Sequence, residues 1–178
     1  MKPSSNPTAS TSFAGRVGPT EFSSPRREFV NQSILIHAPA TLPRILGMKT
    51  LFTSEAVADN GRSGSISNPD GLLNVELGNP LKPGIEKRDP NPELLFAGAY
   101  AACYHGALFN AAKRLNTPAE GSKVRALVSL IEDDQGGFRL AVELHAHLPG
   151  VDSTQAQRVM EAAHVTCPYS KALRGILL

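Results

Sequence analysis

Only two thiols occur in the 178-residue chain, and each lies in a segment that could let it do chemistry. Cys103 falls in the run Asn91-Pro92-Glu93-Leu94-Leu95-Phe96-Ala97-Gly98-Ala99-Tyr100-Ala101-Ala102-Cys103-Tyr104-His105-Gly106-Ala107-Leu108. Cys167 falls in His164-Val165-Thr166-Cys167-Pro168-Tyr169-Ser170. Two cysteines far apart in sequence are no disulfide scaffold of the secreted kind. They are two buried bystanders, a structural bridge, or a redox couple. The last requires elements that bring the two sulfurs together.

The run around Cys103 starts as helices start. Asn91 is a good N-cap, Pro92 suits the first helical position, and Glu93 places a negative charge near free backbone N–H groups. The residues after Glu93 are apolar almost all round, which predicts a central helix packed on all sides. Asp152 or Ser153 caps a second helix through about His164, with Val159, Ala162 and Ala163 on its apolar face. Cys167-Pro168 closes or kinks that helix, and a further turn runs to Arg174-Gly175. Ahead of the first helix, Thr50 to Val57 reads as a strand, Asp59-Asn60-Gly61-Arg62-Ser63-Gly64 as a tight turn, and Ser65 to Asn68 as a second strand. After the turn Asn68-Pro69-Asp70-Gly71, Leu73, Val75 and Leu77 alternate with Asn74 and Glu76 as a third strand. Pro80 to Pro90 is a loop. Between the helices, Val124 to Ile131 and the alternating Phe138 to Leu148 make two more strands around Asp133-Asp134-Gln135-Gly136-Gly137. Ile176-Leu177-Leu178 looks like a strand cut short. The fold class is α+β, with no internal repeat.

Composition sets outer bounds. With 41% hydrophobic and 19% charged residues the chain reads as soluble and globular, and 178 residues suffice for one ordinary domain. A formal charge of +2, with basic residues scattered, argues against nucleic acid. No apolar run reaches the ~18–20 residues of a membrane span. Residues 1–47 differ from the rest: Ser, Thr, Pro and Arg dominate, and Glu21 and Glu28 are the only acids. Such a segment reads as a disordered extension, a transit-like targeting segment, or sequence upstream of a native start at Met48. The domain proper is residues 48–178. Its expected placement is cytoplasmic, or mitochondrial if 1–47 is a transit segment.

Taken together, Asn91-Pro92-Glu93 followed by Phe96 to Leu108 with Cys103, and Cys167-Pro168-Tyr169-Ser170 followed by Arg174-Gly175, resemble the two signature regions of the organic hydroperoxide resistance (Ohr) proteins of the OsmC/Ohr superfamily. The Gly61-Arg62 turn falls where that family carries its active-site arginine. The resemblance covers about Met48 to Gly175. It implies an OsmC/Ohr-like fold in which antiparallel sheets wrap around a buried central helix, in an intertwined homodimer with two sites near the interface. It implies reduction of organic and fatty-acid hydroperoxides to alcohols, with no bound cofactor and a dihydrolipoyl group, on a lipoylated protein, as external dithiol reductant. The chain departs from the pattern at Leu94, where Gln is usual, at Ala97-Gly98-Ala99, at Lys171, where Asn is frequent, and in the short last strand. The missing strand length would leave an edge unpaired at a cost in stability.

On this resemblance Cys103 is the peroxidatic thiol, Cys167 the resolving thiol, and Arg62 with Glu93 the activating pair. Attack on an O–O bond needs a thiolate, and burial alone would disfavour one. Cys103 lies about three turns into its helix, too deep for the helix terminus to do much; a guanidinium can, and on the resemblance Arg62 is the candidate. Glu93 and Cys103 are about 15 Å apart along a continuous helix, so one arginine can hardly touch both from the same helix. Either the helix is broken, or Glu93 serves the site of the partner subunit, the preferred reading. The blander readings are a core thiol at Cys103, a first-turn glutamate at Glu93, and a buried structural thiol at Cys167. His105, two residues past Cys103, points to another face; His145 and His147 are read as exposed strand residues before they are read as metal ligands. Phe96, Tyr100, Tyr104 and Tyr169 line an apolar pocket or are plain core. The alternatives in function are the OsmC branch of the same superfamily, a non-catalytic dimeric redox-switch module, and a truncated non-functional product.

Overall fold

A computed structural model of the chain describes residues 49–83 and 89–174. The 1–47 extension, the start at Met48 and the stub Ile176-Leu177-Leu178 lie outside the described residues.

Three short strands, β1 (Val57–Asp59), β2 (Ser65–Ser67) and β3 (Asn74–Glu76), pair antiparallel in that order. The β1–β2 turn uses left-handed backbone at Asn60 (φ 54°) and Gly61 (φ 61°), a conformation these two residue types tolerate. A single 3₁₀ turn, Gly61–Ser63, carries Arg62. Pairing runs outward from the turn, Asp59 to Ser65, Ala58 to Ile66 and Val57 to Ser67. It stops there because Asn68 is already committed: its carbonyl accepts from Gly71 N–H and its side chain from Leu73 N–H. The strand expected over Thr50 to Val57 therefore begins only at Val57, and residues 51–56 are exposed.

The long helix α1 (Pro92–Arg114) begins as its sequence requires. The Asn91 side chain accepts from Leu94 N–H at 2.9 Å. At its far end Asn116 takes φ 50°, and Thr117 N–H returns to Ala112 O at 2.9 Å, a Schellman closure. Next come β4 (Lys123–Glu132) and β5 (Phe138–His147), a ten-residue antiparallel pair. Two helices close the described chain, α2 (Ser153–Thr166), capped by Asp152, and α3 (Pro168–Leu173).

The core forms where α1 meets α2 and the β4–β5 pair. Tyr100, Tyr104, Ala107, Leu108, Ala111 and Ala112 of α1 pack with Leu148, Val159, Ala163 and Cys167. Leu108 and Val159 are wholly buried, each contributing on the order of 1.5–3 kcal/mol by removing apolar surface from water. Half-buried Val142, Leu144 and Ala146 of β5 and Val124 of β4 cover this cluster, the inward side of the period-2 pattern. One expectation needs correcting. In the single chain α1 is not covered all round: Leu94, Gly98, Ala102, Gly106 and Phe109 form an exposed face at helical spacing. A helix without a polar face reads as fully packed, but among the described residues nothing seals this side.

Tyr104 is half of a link between helices, its hydroxyl donating to Met160 O of α2 at 2.7 Å. Burial pushes its phenol up to about 12. A folded-state value above the unfolded one stabilises the fold fully below about pH 10 and loses that stabilisation as pH rises through 12. Spectrophotometric titration of the three tyrosines should therefore show one that ionises late or only on alkaline unfolding. A Tyr104 phenol that ionises at its ordinary value would remove the Tyr104 link.

Candidate active site

The break between α2 and α3 puts Cys167 where it is. A residue before proline is pushed out of helical backbone, and Cys167 adopts φ −60°, ψ 126° ahead of Pro168. Cys167 is thus the last cap of α2 and the first of α3, at a corner that faces α1. There its sulfur donates to Cys103 Sγ at 3.7 Å, and both thiols are free. A disulfide needs about 2.05 Å, so closure asks for roughly 1.6 Å of further approach. Cys167 is wholly buried, whereas Cys103 is half-buried. The open side of Cys103 faces a cleft of about 550 Å³ lined by Gly106, Ala107, Asn110, Lys113, Arg114, Thr166 and Pro168.

The electrostatics of Cys103 run against a ready thiolate. Burial pushes its thiol above the ordinary range, hydrogen bonding from the Tyr169 backbone pulls it back, and the neighbouring Cys167 raises it again. Among the described residues no guanidinium takes part in setting that value.

Arg62 is found at the first turn of α1, away from Cys103 in the middle of the helix. Its Nη1 donates to Glu93 Oε1 at 3.0 Å and its Nη2 to Oε2 at 2.6 Å, a bidentate, charge-assisted pair. The pair holds the Glu93 carboxyl below the usual carboxylate range, the Arg62 hydrogen bond being the main cause, and raises the guanidinium. Arg62 Nε is buried without a partner among the described residues. Glu93 and Cys103 share one unbroken helix, with about 15 Å of rise between them. The expectation that Glu93 reaches across to a partner is therefore corrected in one respect: its ion pair with Arg62 closes within the chain. The break in the helix that would have joined all three groups is also absent. The structure brings Cys103 to Cys167 and Arg62 to Glu93, as two separate pairs.

The remaining candidates find structural partners. His105 Nε2 lies 3.0 Å from Ser122 Oγ, and its ring stacks on Phe109 at 4.7 Å, which turns it away from Cys103 chemistry. His145 is exposed and lies 3.3 Å from Glu143 Oε2. Phe96, Tyr100, Tyr104 and Tyr169 cluster on one another, with centroid separations of 5.8–6.5 Å, and do not line the cleft at Cys103. Periodicity did not reveal the cleft, whose walls come from the polar end of α1 and from Thr166 and Pro168. Nor did it reveal the hydrogen bond between Tyr100 and Ser170 hydroxyls, 2.9 Å long and buried.

One long helix presenting a thiol to a second thiol at the corner of two others defines an α+β dithiol protein. The family profile described as OsmC-like protein matches residues 85–177. The organic hydroperoxide resistance protein OhrB of Bacillus subtilis (strain 168) is 41% identical over 126 residues, covering 70% of this chain and 92% of that protein. An organic hydroperoxide resistance protein of Xanthomonas axonopodis pv. citri is 40% identical over 130 residues, covering 71% and 90%. The crystal structure of B. subtilis OhrB superposes with a TM-score of 0.67 at 40% identity, covering 72% of this chain and 95% of the other. The chain belongs to the OsmC-like family, within its organic hydroperoxide resistance branch.

Proposed function

We propose that this protein is a cysteine-based peroxidase that reduces organic hydroperoxides, including those of fatty acids, to alcohols. The observation that carries the reading is the 3.7 Å approach of the chain's only two thiols, one open to a cleft and one sealed in the core. Cys103 as thiolate attacks the terminal peroxide oxygen; the O–O bond breaks, the alkoxide leaves and takes a proton, and Cys103 becomes a sulfenic acid. The Cys167 thiolate then attacks that sulfur, forming the disulfide and releasing water. An external dithiol, a dihydrolipoyl group on a partner protein, restores both thiols. No bound cofactor enters this scheme.

Activation is the harder step, because the thiol is raised within the single chain and the Arg62–Glu93 pair sits about three turns away along α1. In our reading the working unit is a homodimer in which the Arg62–Glu93 pair of one chain faces Cys103 of the other. The bare face of α1 supports this. Gly98 and Gly106 have nothing among the described residues within 4 Å of the position a Cβ would take, so those residues give no packing reason for either. Glycine inside a helix costs roughly 0.5–1 kcal/mol relative to alanine, and close approach of a second backbone would account for it. Arg62 Nε then remains as a donor for the peroxide oxygens. A cytoplasmic location is part of the proposal, as is the absence of nucleic-acid and membrane partners; no helix among the described residues is long and apolar enough to cross a membrane.

Single-turnover thiol counting tests the reading. Reduced protein mixed with one equivalent of cumene hydroperoxide should lose two thiols per chain, and should lose them more slowly with hydrogen peroxide. A folded protein that forms the disulfide with diamide but ignores both peroxides would instead be a dithiol switch.

A further inference from the structure

Cys103 is flanked on α1 by two buried tyrosines, each tied to one arm of the Cys167 corner. Tyr104 donates to Met160 O and so holds α2. Tyr100, one turn before Cys103, lies 2.9 Å from the hydroxyl of Ser170, one turn after Cys167, and so holds α3. Tyr100 is 2% exposed and Ser170 1%. The hydroxyl pair and the sulfur pair are thus two parallel cross-links between the same two elements. A single contact would let α3 pivot; two contacts a turn apart fix both its distance and its rotation about α1. Ser170 makes no other side-chain hydrogen bond among the described residues, and a buried hydroxyl without a partner is costly, so the pair holds together.

We propose that Tyr100 and Ser170 are positioning residues for disulfide closure, holding Cys167 directly behind Cys103. This inference rests on the peroxidase reading for its physiological meaning. The Cys103 sulfenic acid has two fates. Attack by the Cys167 thiolate on its sulfur expels the hydroxyl as water, once protonated, and makes the disulfide. A second hydroperoxide instead oxidises the sulfenate to the sulfinate and leaves as alcohol, which the cell's ordinary thiols do not reverse. The clamp favours the first fate because it leaves Cys167 only the last part of the approach to complete. It does nothing for the first oxidation, in which Cys167 takes no part.

The test uses full-length Tyr100→Phe/Ser170→Ala, which removes both hydroxyls and strands neither, with Ser170→Thr as the variant that keeps both. With one equivalent of cumene hydroperoxide, the first oxidation of Cys103 should stay within about twofold of the parent. In excess peroxide the fraction trapped as sulfinate, read from intact mass, should rise about fivefold to tenfold, the worth of one hydrogen bond. Ser170→Thr should restore the parental partition. Both steps slowing together would mean general loosening of the fold, and an unchanged sulfinate fraction would mean no positioning role; either overturns the proposal. A second readout needs no peroxide. Equilibrating the Cys103–Cys167 dithiol against a glutathione redox buffer gives the effective concentration of one thiol at the other, which should fall about fivefold in the double variant. If the parent proves inert to peroxide, that fall alone keeps the clamp while the peroxidase reading fails, and no fall removes the clamp.

Discussion

Cys103→Ser should abolish hydroperoxide reduction while leaving the fold intact. Serine is close in size to cysteine, and Cys103 is half-buried at the edge of the core, so the melting temperature should change little. The hydroxyl, however, is no nucleophile toward an O–O bond at neutral pH. Loss of the attacking group should lower kcat/KM for cumene hydroperoxide by at least about a thousandfold, as loss of a nucleophile does in other covalent mechanisms. Cys167→Ser should behave differently, completing the first oxidation at near parental rate and then stalling as the sulfenic acid or its sulfinate. Stopped-flow measurement of the first turnover, with mass analysis of the product, separates the two. Parental rates in Cys103→Ser would transfer the chemistry elsewhere and end the peroxidase reading as drawn.

Arg62→Ala should cost about a hundredfold to a thousandfold, the scale of one preorganised charge at a reacting centre. The sign of the accompanying titration comes from the geometry. Among the described residues of the single chain, burial raises the Cys103 thiol and no cation opposes it. If the guanidinium arrives from a partner, the dimer should lower the thiol below its ordinary range, and Arg62→Ala should let it rise again. Rates of iodoacetamide alkylation against pH measure both. Glu93 behaves in the opposite sense on the acid side. Its folded-state value is depressed, so its pairing with Arg62 is fully present above the usual carboxylate range and is lost as pH falls through the depressed value. The acid limb of activity should accordingly track protonation of Cys103, with the ion pair still whole.

Mixed dimers settle where the charge comes from. Joining one Arg62→Ala chain to one Cys103→Ser chain leaves, for sites shared between chains, one centre with both an intact arginine and an intact cysteine. Activity should then be about half that of the parent dimer. With self-contained sites, one centre lacks its arginine and the other its thiol, and almost nothing should remain. Because Arg62 and Glu93 pair in the same chain, Arg62→Ala with Glu93→Ala would damage both centres and discriminate poorly.

Much of this arrangement is legible in the residues without any fold in hand. Strict alternation from Phe138 to Leu148, with Asp133 and two glycines before it, specifies a hairpin whose register pairs Val128 with Val142. The caps Asn91 and Asp152 place both long helices at their starts. Pro168 marks the corner at Cys167. Other features depend on contacts that no local pattern carries. Tyr100 and Ser170 are seventy positions apart, and nothing near either residue says that the other will be its partner. The β1 strand is shorter than its sequence suggests because Leu51 and Phe52 look strand-like, whereas its length is set by how far the ladder can run from the Asn60–Gly61 turn before Asn68 leaves it. The bare face of α1 reads as core because an apolar face looks the same whether its own chain or another covers it.

The unequal burial of the two sulfurs has a kinetic consequence. With Cys167 sealed, every reagent from outside reaches the dithiol centre through the one sulfur that opens on the cleft. On the proposed scheme, oxidant and reductant must use the same entrance in turn, each excluded while the other occupies it. Steady-state rates should obey a ping-pong law with parallel reciprocal plots. Surplus oxidised reductant lingering at the entrance should compete with fresh hydroperoxide, so throughput in a cell would be governed by how quickly that single opening is cleared.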